Sequence, residues 1–160
     1  MFATLDPTSR RLRLPIEQEI IINDTVGFIR DLPETLVAAF RATLEEISDS
    51  DLLVHVVDAS NPQAAQQIES VDNILLDLEL NNIPRLIVLN KADLVDEISL
   101  NAVERSILVD KGSESVAVSA IHPKSLSPLI DKIGEIVKVQ SSRFQVLGSK
   151  VQVSDAHIGN

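Results

Sequence analysis

Residues 90–93 read Asn-Lys-Ala-Asp and directly follow a short apolar run at residues 86–89. A carboxylate at Asp93 can accept two hydrogen bonds from the neighbouring N–H donors of a guanine ring. Adenine lacks that donor pair, so a buried carboxylate would be left unpaired against it, and such a site discriminates strongly between the two bases. Asn90 can bond the purine edge and nearby backbone, while the stem of Lys91 covers the base. The tetrapeptide alone is weak evidence, since Asn-Lys-x-Asp arises by chance in many proteins.

A second polar group, Asp-Thr-Val-Gly at residues 24–27, ends an earlier apolar run. The carboxylate of Asp24 can hold Mg²⁺ through water, and the backbone at Gly27 can approach a terminal phosphate because glycine has no Cβ. Ser119 and Ala120 follow a later run in the same way. The three groups in this order, each after an apolar run, predict a guanine-nucleotide fold far more strongly than any one of them alone.

The short apolar runs alternate with amphipathic stretches, which is the pattern of an α/β fold with a parallel sheet covered by helices. In such a sheet, ligand-binding residues lie just past the carboxyl ends of the strands, where the polar groups above fall. The predicted strands are residues 11–15, 19–22, 52–57, 86–89 and 116–118, and the predicted helices are residues 33–47, 62–78, 98–107 and 126–137.

Composition excludes several other classes of protein. The sequence has no cysteine, which rules out disulfides and thiolate metal sites and is compatible with the cytoplasm. A net charge of -10 and 2% aromatic residues argue against DNA binding and against base-stacking platforms. No apolar run approaches the ~18 residues that a membrane span needs, and no basic-then-apolar leader opens the sequence.

Longer strings carry a resemblance to a known family. Residues 2–8, Phe-Ala-Thr-Leu-Asp-Pro-Thr, and residues 24–33, Asp-Thr-Val-Gly-Phe-Ile-Arg-Asp-Leu-Pro, closely resemble the switch regions of the HflX GTPases in the Obg–HflX group. The resemblance covers about residues 2–138 and implies an incomplete Ras-like G domain, with a mostly parallel sheet covered by helices. It implies a partial G domain over residues 1–139 and leaves the tail, residues 140–160, unassigned.

The resemblance also implies roles for individual residues. Thr4 and Asp24 resemble the Mg²⁺-binding pair, and Phe28 stands where many GTPases carry a glutamine that orients the attacking water. It therefore implies slow GTP hydrolysis stimulated by the large ribosomal subunit, in the cytoplasm, and no catalytic side chain is predicted. The implied GTP- or GDP-binding residues are Phe2, Ala3, Thr4, Leu5, Asp6, Asp24, Thr25, Val26, Gly27, Asn90, Lys91, Ala92, Asp93, Ser119, Ala120 and Ile121.

Two parts that the family has are missing from these 160 residues. The string G-x-x-x-x-G-K-[ST], whose backbone amides cradle phosphates, occurs nowhere in the sequence. Losing several charge-assisted hydrogen bonds, about 6–8 kcal/mol, predicts nucleotide affinity of only about 0.1–1 mM and no useful hydrolysis. The family's first strand would lie between residues 19–22 and 52–57. Without it, these strands either pair directly, receive a strand from another chain, or leave the domain unstable.

Three functions therefore stay open. The sequence is the carboxyl-terminal part of a longer HflX-like GTPase, which we favour, or a non-enzymatic module that binds ribosomes or a partner, or a remnant without activity. Arg10, Arg11 and Arg13 form a basic cluster that could contact ribosomal RNA or simply line a solvated strand edge. His55 lies within an apolar run and is predicted to be a core or edge residue rather than a catalyst.

Overall fold

The computed structural model describes residues 8–15, 17–25, 47–111, 113–144 and 149–155. The predicted site residues 2–6, Val26 and Gly27 lie outside these ranges, as do Phe28 and most of the predicted helix at residues 33–47. The elements within the described ranges are β1 (Thr8–Arg13), β2 (Glu19–Thr25), β3 (Leu52–Asp58), α1 (Ala64–Asp77), β4 (Arg85–Asn90), α2 (Glu97–Lys111), β5 (Glu114–Ala117), α3 (Ser127–Phe144) and β6 (Ser149–Asp155).

The six strands form one sheet in the order β1-β2-β6-β3-β4-β5. Every neighbouring pair is parallel except β1 and β2, which are antiparallel. The predicted mostly parallel α/β sheet is therefore confirmed. Parallel strands end at one edge of a sheet, so Asp24, Asp58 and Asn90 all come to the same edge, which we call the carboxyl edge.

Both faces of the sheet are covered around β3, which explains why this strand is almost entirely apolar. Leu52 and Val54 lie in a buried cluster with Ile133, a residue of α3. Leu53, the residue between them in β3, lies in a second cluster with Val71 of α1. Side chains along a strand alternate between the two faces, so successive residues of β3 are buried on opposite faces and apolar residues are favoured at both.

The middle of the sheet differs from the sequence-based prediction. Residues 19–22 and 52–57 were expected to lack a neighbouring strand, but β6 lies between β2 and β3 and pairs in parallel with both. Val151 is in register with Ile22 on one side and with Leu52 on the other. Direct pairing of these strands and a strand from another chain were both wrong, because the unassigned tail of the same chain supplies the strand, whereas instability of the domain stays a prediction.

Helix α2 is buried at Ile107 and exposed at its first turn. Its first turn is held by Asp96, whose carboxylate accepts hydrogen bonds from the backbone N–H and the hydroxyl of Ser99, at 2.9 and 2.6 Å. Ile107 is buried, whereas Ile98 is 83% exposed. The helix was predicted to begin at Ile98, and this residue does lie in the first turn, one residue after Glu97, with its side chain largely in water.

Candidate functional site

The loops that follow β4 and β5 are joined by hydrogen bonds at the carboxyl edge. The side-chain oxygen of Asn90, the last residue of β4, accepts a hydrogen bond from the backbone N–H of Ala120 at 3.0 Å. A main-chain bond from the N–H of Ala92 to the carbonyl of Val118, also 3.0 Å, ties the same two loops. Asn90 thus fixes the backbone around Ala120 and keeps its amide NH₂ as a donor.

Asp93 and Ser119 form the second link between these loops. The Ser119 hydroxyl donates to one carboxylate oxygen of Asp93 at 2.5 Å. Ser119 is buried, whereas Asp93 is exposed within the short 3₁₀ turn Ala92–Leu94. The bond holds the carboxylate in one orientation, with acceptor sites left for further N–H donors, because a carboxylate offers about four lone-pair positions.

Lys91 lies between these two residues and reaches across to the end of β3. Its backbone has φ 61° and ψ 33°, the left-handed conformation, which turns the chain sharply after the strand. Its ammonium group is 2.6 Å from a carboxylate oxygen of Asp58. Partial burial acts to raise the pKa of Asp58, but hydrogen bonds from Lys91 and Ser60 outweigh it and hold that pKa below its ordinary value.

Asp58 is the last residue of β3 and has two sets of partners. Its carboxylate accepts hydrogen bonds from the N–H and hydroxyl of Ser60, at 3.0 and 2.6 Å, which form the turn after the strand. The pairing with Lys91 is an additional role. The sequence offers one sign of this pairing: the aspartate and the lysine each come at the end of an apolar run, and such runs end at the same edge of a parallel sheet.

Ser125 is a residue that sequence reasoning missed. Its hydroxyl accepts a hydrogen bond from the backbone N–H of Ser119 at 2.9 Å. The same hydroxyl oxygen lies 2.8 Å from the carbonyl oxygens of Ser119 and His122, to which it can donate. The Ser125 side chain therefore stabilises the backbone of the loop that contains Ser119 and Ala120.

The remaining predicted residues lie farther away or outside the description. Asp24 is exposed near the end of β2, in register with Thr8 of β1. Because β6 lies between β2 and β3, two strand spacings separate β2 from β3, or about 10 Å. Ile121 follows Ala120 and is 73% exposed. The structure thus brings together Asn90, Lys91, Ala92, Asp93, Ser119 and Ala120, and it does not bring Asp24 into direct contact with them.

The part of the chain that the structure describes contains no group of three or more histidine and acidic side chains that could enclose a metal ion. Mg²⁺ commonly binds through one or two protein ligands together with waters and substrate phosphates, so the exposed carboxylate of Asp24 is of a suitable type. Within the same residues, no helix combines the length and the apolar character that crossing a membrane requires.

Comparison with known proteins identifies the family. A family model described as 50S ribosome-binding GTPase matches residues 1–91, more than half of the chain. The chain therefore belongs to this family of GTPases. Within the family it is similar to proteins named GTPase HflX, which confirms the resemblance seen in the sequence.

Three of these relatives show the extent of the match. The protein of Alkalihalophilus pseudofirmus is 39% identical over 158 residues, 99% of this chain and 35% of the relative. That of Caldanaerobacter subterraneus is 51% identical over 133 residues, 83% and 29% of the two chains. That of Escherichia coli is 46% identical over 97 residues, 61% and 23%. The chain thus spans about a third of the length of the first relative and less than a third of the other two.

Solved structures give the same fold. The structure described as a complex of SsGBP and GDP superimposes with a TM-score of 0.68 at 30% sequence identity, covering 84% of this chain and 43% of that one. A mutation variant of SsGBP superimposes with a TM-score of 0.70 at 28% identity, covering 81% and 48%. The G-domain fold expected from the sequence is therefore confirmed.

Proposed function

We propose that this chain is a guanine-nucleotide-binding module of the HflX kind, which recognises the base at the carboxyl edge of β4 and β5. The observation that carries the proposal is the pair of hydrogen bonds from Ala120 to Asn90 and from Ser119 to Asp93. Together they hold the amide donor of Asn90 and the carboxylate acceptor of Asp93 in place on the loop that follows β4, and this is the combination that the edge of guanine requires. The GDP complex of SsGBP and the GTPase names of the relatives support the same ligand.

The phosphate half of the proposed site is weaker than the base half. The 160 residues hold no G-x-x-x-x-G-K-[ST] string, so we propose millimolar or submillimolar binding and no useful hydrolysis by this chain alone. Asp24 would hold Mg²⁺ through water, with Thr4 as the second predicted ligand. When bound, the ion neutralises phosphate charge.

The proposed partner is the large ribosomal subunit, in the cytoplasm. The description of the matching family, 50S ribosome-binding GTPase, supports it. We also propose that GTP hydrolysis belongs to a longer protein of which these residues form the carboxyl-terminal part. The missing phosphate loop favours one alternative, a module that binds the ribosome without hydrolysing GTP.

The base-reading part of the proposal is tested by equilibrium dialysis of GDP and ADP against three proteins: the wild type, Asp93→Ala, and Asp77→Ala as a control. Asp77 is an exposed aspartate at the end of α1. GDP should bind the wild type and the control equally, and Asp93→Ala and ADP should each weaken binding by about tenfold or more. Equal binding of GDP and ADP to the wild type would refute guanine recognition.

The catalytic part is tested separately by GTP turnover with and without large ribosomal subunits. We expect turnover no higher than a blank without protein, and co-sedimentation of the chain with the subunits at low salt. Stimulated turnover by the 160-residue chain would overturn the proposal of inactivity. Failure to co-sediment would count against the ribosomal partner.

A further inference from the structure

A cavity lies at the edge of the sheet opposite the carboxyl edge, where β4 and β5 begin, and we call it the amino-edge cavity. Its volume is about 610 Å³, and sites for small molecules typically measure about 300–1,000 Å³. Its wall is formed mainly by the end of α1, the loop that follows this helix, and the first residues of β4 and β5. Among the described residues, those that line it belong to a different edge of the sheet from the proposed guanine site.

The wall of the amino-edge cavity combines an apolar part with hydrogen-bond donors. Leu75, Leu76 and Ile83 supply apolar surface. Asn81 and Asn82 are exposed residues of the same wall, and each carries an amide NH₂ that can donate. Apolar surface with a few polar groups is the usual composition of a site for a small molecule.

Arg85, the first residue of β4, adds a nearly buried cation to this wall. Its side chain is 9% exposed and pairs through Nη2 with the carboxylate of Asp72, which belongs to α1. The other terminal nitrogen, Nη1, is buried and has no hydrogen-bond partner in the described part of the chain. A buried donor without an acceptor is costly, so part of this guanidinium is left unsatisfied.

The neighbouring polar side chain on the same face of the sheet does not supply the missing acceptor. Arg85 is in register with Leu53, so His55, two residues farther along β3, lies on the face that carries Arg85. The positive charge of Arg85 contributes to the lowered pKa of His55, which places the two groups within electrostatic reach. Both ring nitrogens of His55 nevertheless lack a partner in the described residues.

The charges around the cavity favour a ligand with a single negative charge. A guanidinium fork matches a carboxylate or a phosphate. Asp72 and Glu114 line the cavity as well, and each has a cation of its own. For Glu114 this is Lys132, whose ammonium group lies 2.6 Å from a carboxylate oxygen. Both acidic groups would repel a doubly charged phosphate more strongly than a carboxylate, and a phosphate would leave the apolar wall uncovered.

We propose that the amino-edge cavity binds a small monocarboxylate with a short apolar chain. The carboxylate accepts hydrogen bonds from the guanidinium of Arg85, and the hydrocarbon packs on Leu75, Leu76 and Ile83. Because Nη1 is closed to water, binding includes a turn of the guanidinium toward the cavity while Nη2 keeps its pairing with Asp72. This site is independent of the proposed guanine recognition, which lies at the opposite edge of the sheet.

The test is an NMR titration of the ¹⁵N-labelled full chain with 4-methylpentanoate at pH 7, where this probe is ionised. The backbone signal of Arg85 and the side-chain amide signals of Asn81 and Asn82 should shift until they saturate. Neutral 4-methylpentanamide, which has the same shape, and inorganic phosphate should each bind at least about tenfold more weakly. The absence of a saturable shift would overturn the site, and equal binding of the amide or of phosphate would overturn the assignment of a monocarboxylate.

A blocking variant and its matched control locate the binding. Leu76 lines the cavity and is 59% exposed, so Leu76→Trp should narrow the cavity from its opening and weaken binding by about tenfold or more. Leu108 lies in α2 and is 61% exposed, so Leu108→Trp makes the same change elsewhere and should bind the probe as the wild type does. Wild-type affinity in Leu76→Trp would overturn the cavity as the place of binding.

A second variant tests the guanidinium. Arg85→Lys keeps the positive charge and removes the planar fork, so affinity for 4-methylpentanoate should fall by about tenfold. Urea unfolding of each variant shows whether its fold is retained, and Leu76→Trp tests the site without altering the pairing of Arg85 with Asp72. Wild-type affinity in Arg85→Lys would overturn the role of the guanidinium. Loss of guanine recognition at the carboxyl edge would leave all of these results unchanged.

Discussion

His55 makes stability depend on pH in a way that the structure allows us to calculate. The side chain lies in the middle of β3 and is 2% exposed. Burial lowers its pKa from 6.5 to about 3, with a further lowering by the positive charge of Arg85 and an opposing effect of Asp72. Neither ring nitrogen has a hydrogen-bond partner in the described part of the chain. The folded state therefore keeps this ring neutral well below pH 6.5.

The sign and size of the effect follow from proton binding. As the pH falls below 6.5, His55 takes up a proton in the unfolded chain and stays neutral in the folded chain until about pH 3. The unfolded state then binds more protons, so stability falls as the pH decreases across this window. At pH 5, about 1.5 pH units below the ordinary pKa of histidine, the free energy of unfolding is lower by about 2 kcal/mol.

The assay is urea unfolding of the wild type and His55→Leu at pH 7 and pH 5. From pH 7 to pH 5, the free energy of unfolding should fall by about 2 kcal/mol more in the wild type than in the variant. At pH 7 the leucine should leave stability unchanged or raise it, because it removes two unpaired polar atoms. His122→Gln is the control, since His122 is exposed and its replacement should preserve the wild-type loss. An equal loss in the wild type and His55→Leu would show that protonation of His55 does not cause the pH dependence.

Three further predictions concern the core and the loops of the site. Leu86→Ala should lower the free energy of unfolding by about 2–5 kcal/mol, because the side chain is fully buried, whereas the exposed Leu108→Ala should change it by less than about 0.5 kcal/mol in the same urea titration. Ser125→Ala should lower the free energy of unfolding by about 1–3 kcal/mol in a thermal unfolding experiment, because it leaves the part-buried N–H of Ser119 unpaired. Ser127→Ala is the control, since Ser127 is exposed. Equal melting temperatures of the two variants would contradict the structural role of the Ser125 hydroxyl. Lys91→Ala should cost less than about 1 kcal/mol in a denaturant titration, because its ion pair is largely exposed, and a larger loss would show that the pair is more than a surface contact.

The strands and the base-reading loops could be predicted because both depend on local pattern. Continuous apolar runs indicate buried parallel strands, and the strands end at one edge, so Asn90, Asp93 and Ser119 were expected to lie together. Their hydrogen-bonded arrangement agrees with that expectation.

The central strand could not be predicted, for a physical reason. The alternating residues of β6 favour a half-exposed strand, and its pairing with β2 joins residues far apart in the sequence, which no local pattern encodes. The role of Ser125 could not be predicted from the sequence either. Serine is common in turns, and the groups that its hydroxyl bonds are set only by the folded loop. The exposure of Ile98 could not be predicted either, because the position of its helix on the sheet determines burial.

The central claim, guanine recognition at the carboxyl edge of β4 and β5, is tested most directly by NMR titration of the ¹⁵N-labelled chain with GDP and with ADP. We expect GDP to shift the amide signals of Asn90, Asp93 and Ala120 with a Kd of about 0.1–1 mM, and ADP to leave them in place. Equal shifts with both nucleotides, or GDP-dependent shifts confined to residues away from these loops, would contradict it.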